Sequence, residues 1–231
     1  MKYDTIIFDF DGTVSDSEAA ITHGFQKGLA AFGVEESLEN IKALIGPPLG
    51  KTIQTKYGFN PEDAVAAMTI CKNFQISPEG LEVISLYDGM LELLQGLKEL
   101  GLKLAIATNK PLPTVEPQMK HLGLEGIFDA LEANDVPQTR GSKSDFVRWA
   151  MEGCGSTPER CLMVGDRKAD IVGGKDSAMD TCGVLYGYGS REEMEGCNPI
   201  RMRNPCCYND CNNSWCRYRC SKLCSCNKRS S

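Results

Sequence analysis

The sequence predicts an α/β fold, a parallel sheet flanked by helices with an all-helical block inserted after the first strand. Three observations carry this. Five short apolar runs read as buried strands: Thr5–Phe8, Leu102–Ala107, Phe128–Ala133, Cys161–Val164 and Thr181–Leu185. Helical patterns separate most of those within residues 86–190, and such alternation implies parallel strands joined by crossover helices, a Rossmann-like arrangement. Residues 15–85 carry helical patterns without a convincing strand, too long a stretch for one crossover.

Taken in order, Thr5–Phe8 is the first strand, and the chain leaves it through Ser15–Ser17. Ile21, Phe25, Leu29 and Phe32 then recur at helical spacing, with Gly33 as a stop. Asn60-Pro61-Glu62-Asp63 starts another helix, with Pro in the first turn and acids facing the dipole. The return path is Ile76–Tyr87, containing Ser77-Pro78-Glu79-Gly80. Asp88 is the expected N-cap of a helix that buries Met90, Leu93, Leu94, Leu97 and Leu100 and ends at Gly101. A further helix from Lys143 to Gly153 presents Phe146, Val147, Ala150 and Met151. The expected division is a core of residues 1–14 and 86–197, a helical cap of 15–85, and a tail of 198–231.

Hydrophobic residues make up 42% and charged residues 24% of the 231, which is globular composition and excludes a disordered chain. The net charge of −6 argues against a nucleic-acid partner. It hides an asymmetry: residues 201–231 hold seven basic residues against Asp210, so residues 1–200 carry −12. Seven of the twelve cysteines also fall in the tail, from Cys206 to Cys226. Their irregular spacing does not suit a zinc site, and a disulfide knot conflicts with the reduced compartment expected of the body. The tail is therefore expected to be disordered or non-native. No run approaches the roughly 20 apolar residues of a spanning helix, and no signal peptide is recognisable. The expected location is cytoplasmic, without a membrane partner.

Chemistry concentrates at the strand ends. Asp9 and Asp11, in Phe8-Asp9-Phe10-Asp11-Gly12-Thr13, can both project into one crevice. One carboxylate can attack as a nucleophile while the other serves as acid and base. Thr108-Asn109 follows the second strand, where a hydroxyl and amides can hold a phosphate oxygen. Lys143 opens the helix after the third strand and can neutralise a phosphoryl group. Asp166 and Asp170, one helical turn apart after the fourth, offer hard oxygen ligands suited to Mg²⁺. Each piece alone has an ordinary explanation as a turn, a helix cap or a surface charge. Four such pieces at four successive strand ends do not.

This ordered series resembles the four motifs of haloacid dehalogenase-superfamily phosphatases over residues 3–197. The helical insertion looks like the cap of the phosphoglycolate phosphatase-like branch. Gly46-Pro47-Pro48-Leu49 is similar to its cap-loop signature, and Gly183–Gly189 to its fifth-strand exit. The resemblance implies a Mg²⁺-dependent phosphatase that hydrolyses a small phosphorylated metabolite through an aspartyl-phosphate. Asp9 would be the nucleophile and Asp11 the general acid and base. Thr108, Asn109 and Lys143 would bind the phosphoryl group. Asp9, the backbone carbonyl of Asp11, Asp166 and Asp170 would hold the metal. The chain would act as a monomer or homodimer.

Phosphoglycolate is the first expected substrate. The spellings Asp166–Asp170 and Arg140-Gly141-Ser142-Lys143 resemble 5′-nucleotidase-like members, and a pyrophosphatase-like activity is a further alternative. A reading of another class is a non-catalytic module that binds RNA or metal through the basic Cys-rich tail. His23, His121, Arg140 and Arg167 are expected in structural rather than chemical roles.

Overall fold

The computed structural model describes residues 1–45, 49–135, 139–197 and 199, and the backbone alone of 201–203. Its sheet has six parallel strands, β1 (Thr5–Phe8), β4 (Lys103–Pro111), β5 (Ala130–Asn134), β6 (Cys161–Gly165), β7 (Asp180–Val184) and β8 (Arg201–Arg203). The spatial order is β5-β4-β1-β6-β7-β8, so the first strand sits near the middle of the sheet. Because β1 is buried on both faces, all four of its residues are buried, as expected of its continuous apolar run. Helices α6 (Met90–Glu99), α7 (Leu112–His121), α8 (Lys143–Gly153) and α9 (Lys168–Asp176) are the crossovers. α10 (Arg191–Glu195) follows β7.

One face of the sheet packs Ile6, Phe8, Leu104 and Ile106 against Leu94 and Leu97 of α6. The other packs Ile7, Ala105, Ala107 and Met163 against Phe146, Val147 and Ala150 of α8. The helical stretch comprises α1 (Glu18–Ala30), α2 (Leu38–Lys42), α3 (Leu49–Tyr57), α4 (Pro61–Gln75) and α5 (Pro78–Glu82). It has its own apolar cluster of Phe25, Leu29, Ile41, Ile53, Ala64, Ala67 and Cys71. Gly28 lets α1 approach α4 closely, since a Cβ there would strike the carbonyl of Ala67. Asn60 caps α4 by accepting from the Asp63 amide at 2.8 Å, as its sequence predicts. Among the described residues no helix is long and apolar enough to cross a membrane.

Several expectations change. Two short strands, β2 (Ser15–Asp16) and β3 (Ser85–Leu86), pair antiparallel where the chain enters and leaves the helical stretch. Two residues show no period, so sequence patterning misses them. Gly89, with φ of 75°, is the N-cap of α6 in place of Asp88. Phe32, expected on the buried stripe, lies beyond the end of α1 and is 38% exposed. β4 continues past Ala107 to Pro111, pairing again with Asn134 after an irregularity, so Thr108 and Asn109 lie on the strand and not in a loop. β8 pairs with β7 where no strand was expected, because an edge strand needs only backbone hydrogen bonds and no apolar run. Residues 46–48 of the cap-loop motif, and 204–231 of the tail with all its cysteines, lie outside the described residues.

Candidate active site

The carboxyl ends of β1, β4 and β6 lie side by side at the middle of the sheet, where each strand hands its chain to a loop or helix. Asp9 continues the β1 ladder by one bond, its amide donating to the Val164 carbonyl at 2.9 Å. The chain then turns through Gly12, whose φ of +80° is left-handed and whose missing Cβ leaves room for the Asp166 carboxylate. Asp166 directly follows β6. Asp170 stands in the first turn of α9, accepting from the Arg167 amide at 2.8 Å. Oxygens of Asp9, Asp166 and Asp170 come within 4.8 Å of one another, and all three residues are buried.

Lys143 is the counter-charge. Its place at the start of α8 is fixed by a capping box in which Ser142 and Asp145 exchange hydrogen bonds. Its ammonium, on a side chain only 6% exposed, donates to the Ala107 carbonyl at 2.5 Å and to Oδ1 of Asp9 at 2.6 Å. It also lies 2.8 Å from Oδ1 of Asp170. Three donors meeting three acceptors make this a saturated buried ammonium. Asp166 is held differently, by the Tyr188 amide at 2.7 Å and the Thr13 hydroxyl at 3.2 Å.

Three carboxylates around one ammonium leave a negative excess, and the electrostatics follow. Burial pushes the Asp9 carboxyl well above its ordinary range; Lys143 opposes this, while Asp170 and Asp166 add to it. Burial and then the Asp170 charge raise Asp166 to about 7, against the pull of the Tyr188 amide. Burial would lower Lys143, but Asp170 and Asp9 override it and the ammonium is held charged. A set of buried, hard oxygen donors with surplus negative charge fits a small divalent cation and does not fit a soft metal.

Asp11 stands apart from this cluster. Its Oδ1 accepts from Lys110 Nζ at 2.5 Å and from the Ser17 hydroxyl at 2.6 Å. Ser17 in turn lies 2.9 Å from the Tyr188 hydroxyl. The side chain of Asp11 therefore does not join Asp9, Asp166 and Asp170 as a candidate ligand; a part for this residue at a metal would fall to its backbone carbonyl. Thr108 is buried, accepts from the Lys110 amide at 3.1 Å, and follows Ala107, whose carbonyl accepts from Lys143. Asn109 is exposed, between the buried residues Thr108 and Lys110.

Lys110, Ser17 and Tyr188 are the site residues that sequence reasoning missed. Lys110 lay within the Thr108-Asn109-Lys110 run, and extending the second strand to Pro111 would have drawn it into the sheet. Nothing local marks Ser17 or Tyr188, which meet across 171 residues. Arg140 pairs with Glu132 at 2.6 Å and Arg167 with Glu193 at 3.0 Å. The His23 ring meets Phe74 edge-on at 6.3 Å, and His121 ends α7.

The chain is similar to known proteins. The chain is 33% identical to a 5′-nucleotidase of Pseudomonas aeruginosa over 201 residues, 86% of this chain and 90% of that one. It is 34% identical to the tyrosine-protein kinase PtkA of Mycobacterium tuberculosis over 192 residues, 82% of this chain and 65% of the longer relative. A crystal structure of a predicted phosphatase from Clostridium acetobutylicum superposes with a TM-score of 0.80 at 31% identity, covering 88% of this chain and 94% of the other. Residues 6–184 match the family model of haloacid dehalogenase-like hydrolases. With that match over most of its length, the chain belongs to the haloacid dehalogenase-like hydrolase family.

Proposed function

We propose that this hydrolase is a Mg²⁺-dependent phosphatase of a small phosphorylated metabolite, working through an aspartyl-phosphate on Asp9. The observation that carries the reading is Lys143, bonded at once to Asp9 and Asp170 beside Asp166. That constellation fixes one ammonium against two of three buried carboxylates and leaves the cluster a negative excess for a cation. In the first step an Asp9 oxygen attacks phosphorus and the ester P–O bond breaks, while Asp11 delivers its proton to the departing oxygen. In the second, Asp11 takes a proton from water as that water attacks phosphorus, the Asp9–phosphate bond breaks, and inorganic phosphate leaves. Lys143 and Thr108 hold phosphoryl oxygens, with Asn109 assisting from the strand edge. Mg²⁺ would be held by Asp9, Asp166 and the Asp11 carbonyl, with Asp170 beside them, and would supply charge neutralisation at the phosphoryl group.

In this reading residues 15–85 act as a cap over a core of 1–14 and 86–197, with β2 and β3 as its hinge. The protein would act in the cytoplasm as a monomer or homodimer, without nucleic acid or membrane. Phosphoglycolate is the first candidate substrate; similarity to a 5′-nucleotidase favours nucleoside monophosphates as the second. Phosphate release across a panel of monoesters, with Mg²⁺ and with chelator, tests the proposal. Metal-dependent turnover of at least one monoester is expected, and turnover of none, or turnover indifferent to chelation, overturns it.

A further inference from the structure

Arg167 stands between Asp166 and Asp170 in the sequence, and its side chain reaches the helical stretch. Its Nη1 donates to the Ile45 carbonyl at 3.0 Å, and its Nε donates to Glu193 at 3.0 Å. Both ends of the bond to Ile45 are anchored. On the core side, a Cβ on Gly189 would lie 3.3 Å from Cδ of Arg167, so the return from β7 packs directly on the arginine stem. Glu193 accepts from the Lys168 amide at 2.8 Å as well, which holds its carboxylate where it aims the guanidinium. On the other side, Ile45 ends a run of backbone bonds leading out of α2, its amide donating to the Lys42 carbonyl at 3.1 Å. Ile41 of α2 is buried in the apolar cluster of the helical stretch, and Leu44 packs against the same cluster. A pull on the Ile45 carbonyl is therefore borne by that packed body.

We infer that Arg167 is a positioning residue that latches residues 15–85 onto the core, and that the site opens by breaking its bond to Ile45. The inference rests on the reading of those residues as a cap. The contact has the properties of a latch. A hydrogen bond from a charged donor shifts an equilibrium by about 10- to 100-fold, enough to favour the closed arrangement without locking it. Breaking it strands no charge, because the guanidinium keeps Glu193 and the Ile45 carbonyl passes to water. The latch is also built into the peptide that presents the acids: the Arg167 amide donates to Asp170, and Asp166 is its chain neighbour. Closing on Arg167 therefore fixes the helical stretch relative to the carboxylates around phosphorus, where bulk water must be kept out while the aspartyl-phosphate exists.

The test reads the position of the helical stretch directly. A donor and an acceptor fluorophore are attached through noncanonical residues at Glu62 and Glu152, both exposed, one in the helical stretch and one in the core. Single-molecule energy transfer should show one predominant short distance in the full chain. Arg167→Met should move most molecules to longer distances, and Arg167→Lys, which keeps a donor, should move fewer. A distance distribution that Arg167→Met leaves unchanged overturns the inference, and a lowered melting temperature without that change marks Arg167 as a brace for α10 alone. The distances need no substrate, so this arm stands or falls whether or not the chain hydrolyses a phosphate ester. With a monoester that is turned over, Arg167→Met should lose about 10- to 100-fold in kcat/KM at an unchanged Mg²⁺ requirement, since the latch touches no phosphoryl oxygen. A Mg²⁺ requirement that rises with the loss would place the effect in the acid cluster and overturn the latch.

Discussion

The ammonium of Lys143 lies 2.6 Å from Asp9 and 2.8 Å from Asp170, joining residues that come from three different strand ends. It is the only lysine that neutralises the acid cluster among the described residues. Lys143→Met should therefore cost about 10²–10³-fold in turnover, the scale of losing one preorganised charge contact. It should also destabilise the fold by about 3–5 kcal/mol near neutral pH, because carboxylates are left buried without a partner. Lowering the pH should recover part of that stability by protonating them. Urea unfolding at two pH values checks this, and equal losses at both would show that Lys143 does not balance the acids.

The raised carboxyl of Asp166 fixes the sign of a pH effect. Its folded value of about 7 exceeds the ordinary 3.8, so the folded state binds the proton more tightly than the unfolded state does. The stability this contributes is complete below the ordinary value and is lost as pH rises through 7. Chelated protein should therefore melt at a lower temperature at about pH 8 than at about pH 5, and added Mg²⁺ should raise the melting temperature more at the higher pH. Asp4 and Glu36 do not obscure the window. Hydrogen bonds, chiefly from Ser156 and Asn40 respectively, hold both near 2, so their contributions are constant there. Chelated protein that gains stability over this range would contradict the assignment.

Asp166→Asn separates the metal role from the structural one. An amide can still accept from the Tyr188 amide and meet the Thr13 hydroxyl, but it carries no charge. The chelated variant should be at least as stable as the unmodified protein at about pH 8, while its Mg²⁺ requirement rises about 10- to 100-fold. Differential scanning calorimetry and a Mg²⁺ titration of activity measure the two. A destabilised variant with an unchanged Mg²⁺ requirement would mean that Asp166 only supports the fold.

Much of this was legible because burial writes itself into residue type. β1 and β6 are short apolar runs flanked by turn-forming residues, Asp9 and Asp166 mark the points where they end, and Lys143 and Asp170 stand in the first turns of helices that follow strands. Asp11 was found for the same reason, but its Lys110 partner was not, since ending the second strand at Ala107 left Thr108 and Lys110 outside the buried sheet. Ser17 and Tyr188 were out of reach. Their contact depends on how the return from β7 packs over the entry to α1, and neither segment has a period that records it. β8 escaped because backbone pairing alone holds it at the sheet edge.

Asp11→Asn removes the proton donor and leaves Asp9 and Lys143 bonded. Alkyl phosphates, whose leaving oxygen needs a proton, should lose about 10²–10⁴-fold in the first step. An activated aryl phosphate leaves as a stabilised anion and should lose much less in that step. Single-turnover kinetics on the two classes check this. Equal losses would remove Asp11 from the acid role.

The central claim is that Asp9 itself carries the phosphoryl group. Asp11→Asn should slow the hydrolysis step as well, letting the aspartyl-phosphate accumulate from an aryl phosphate. Rapid quenching followed by peptide mass spectrometry should then find an adduct of about 80 Da, the mass of HPO₃, on the peptide that contains Asp9, absent from Asp9→Asn. Turnover with no adduct on Asp9 at any time, or activity retained by Asp9→Asn, would contradict the account and leave direct attack by water in its place.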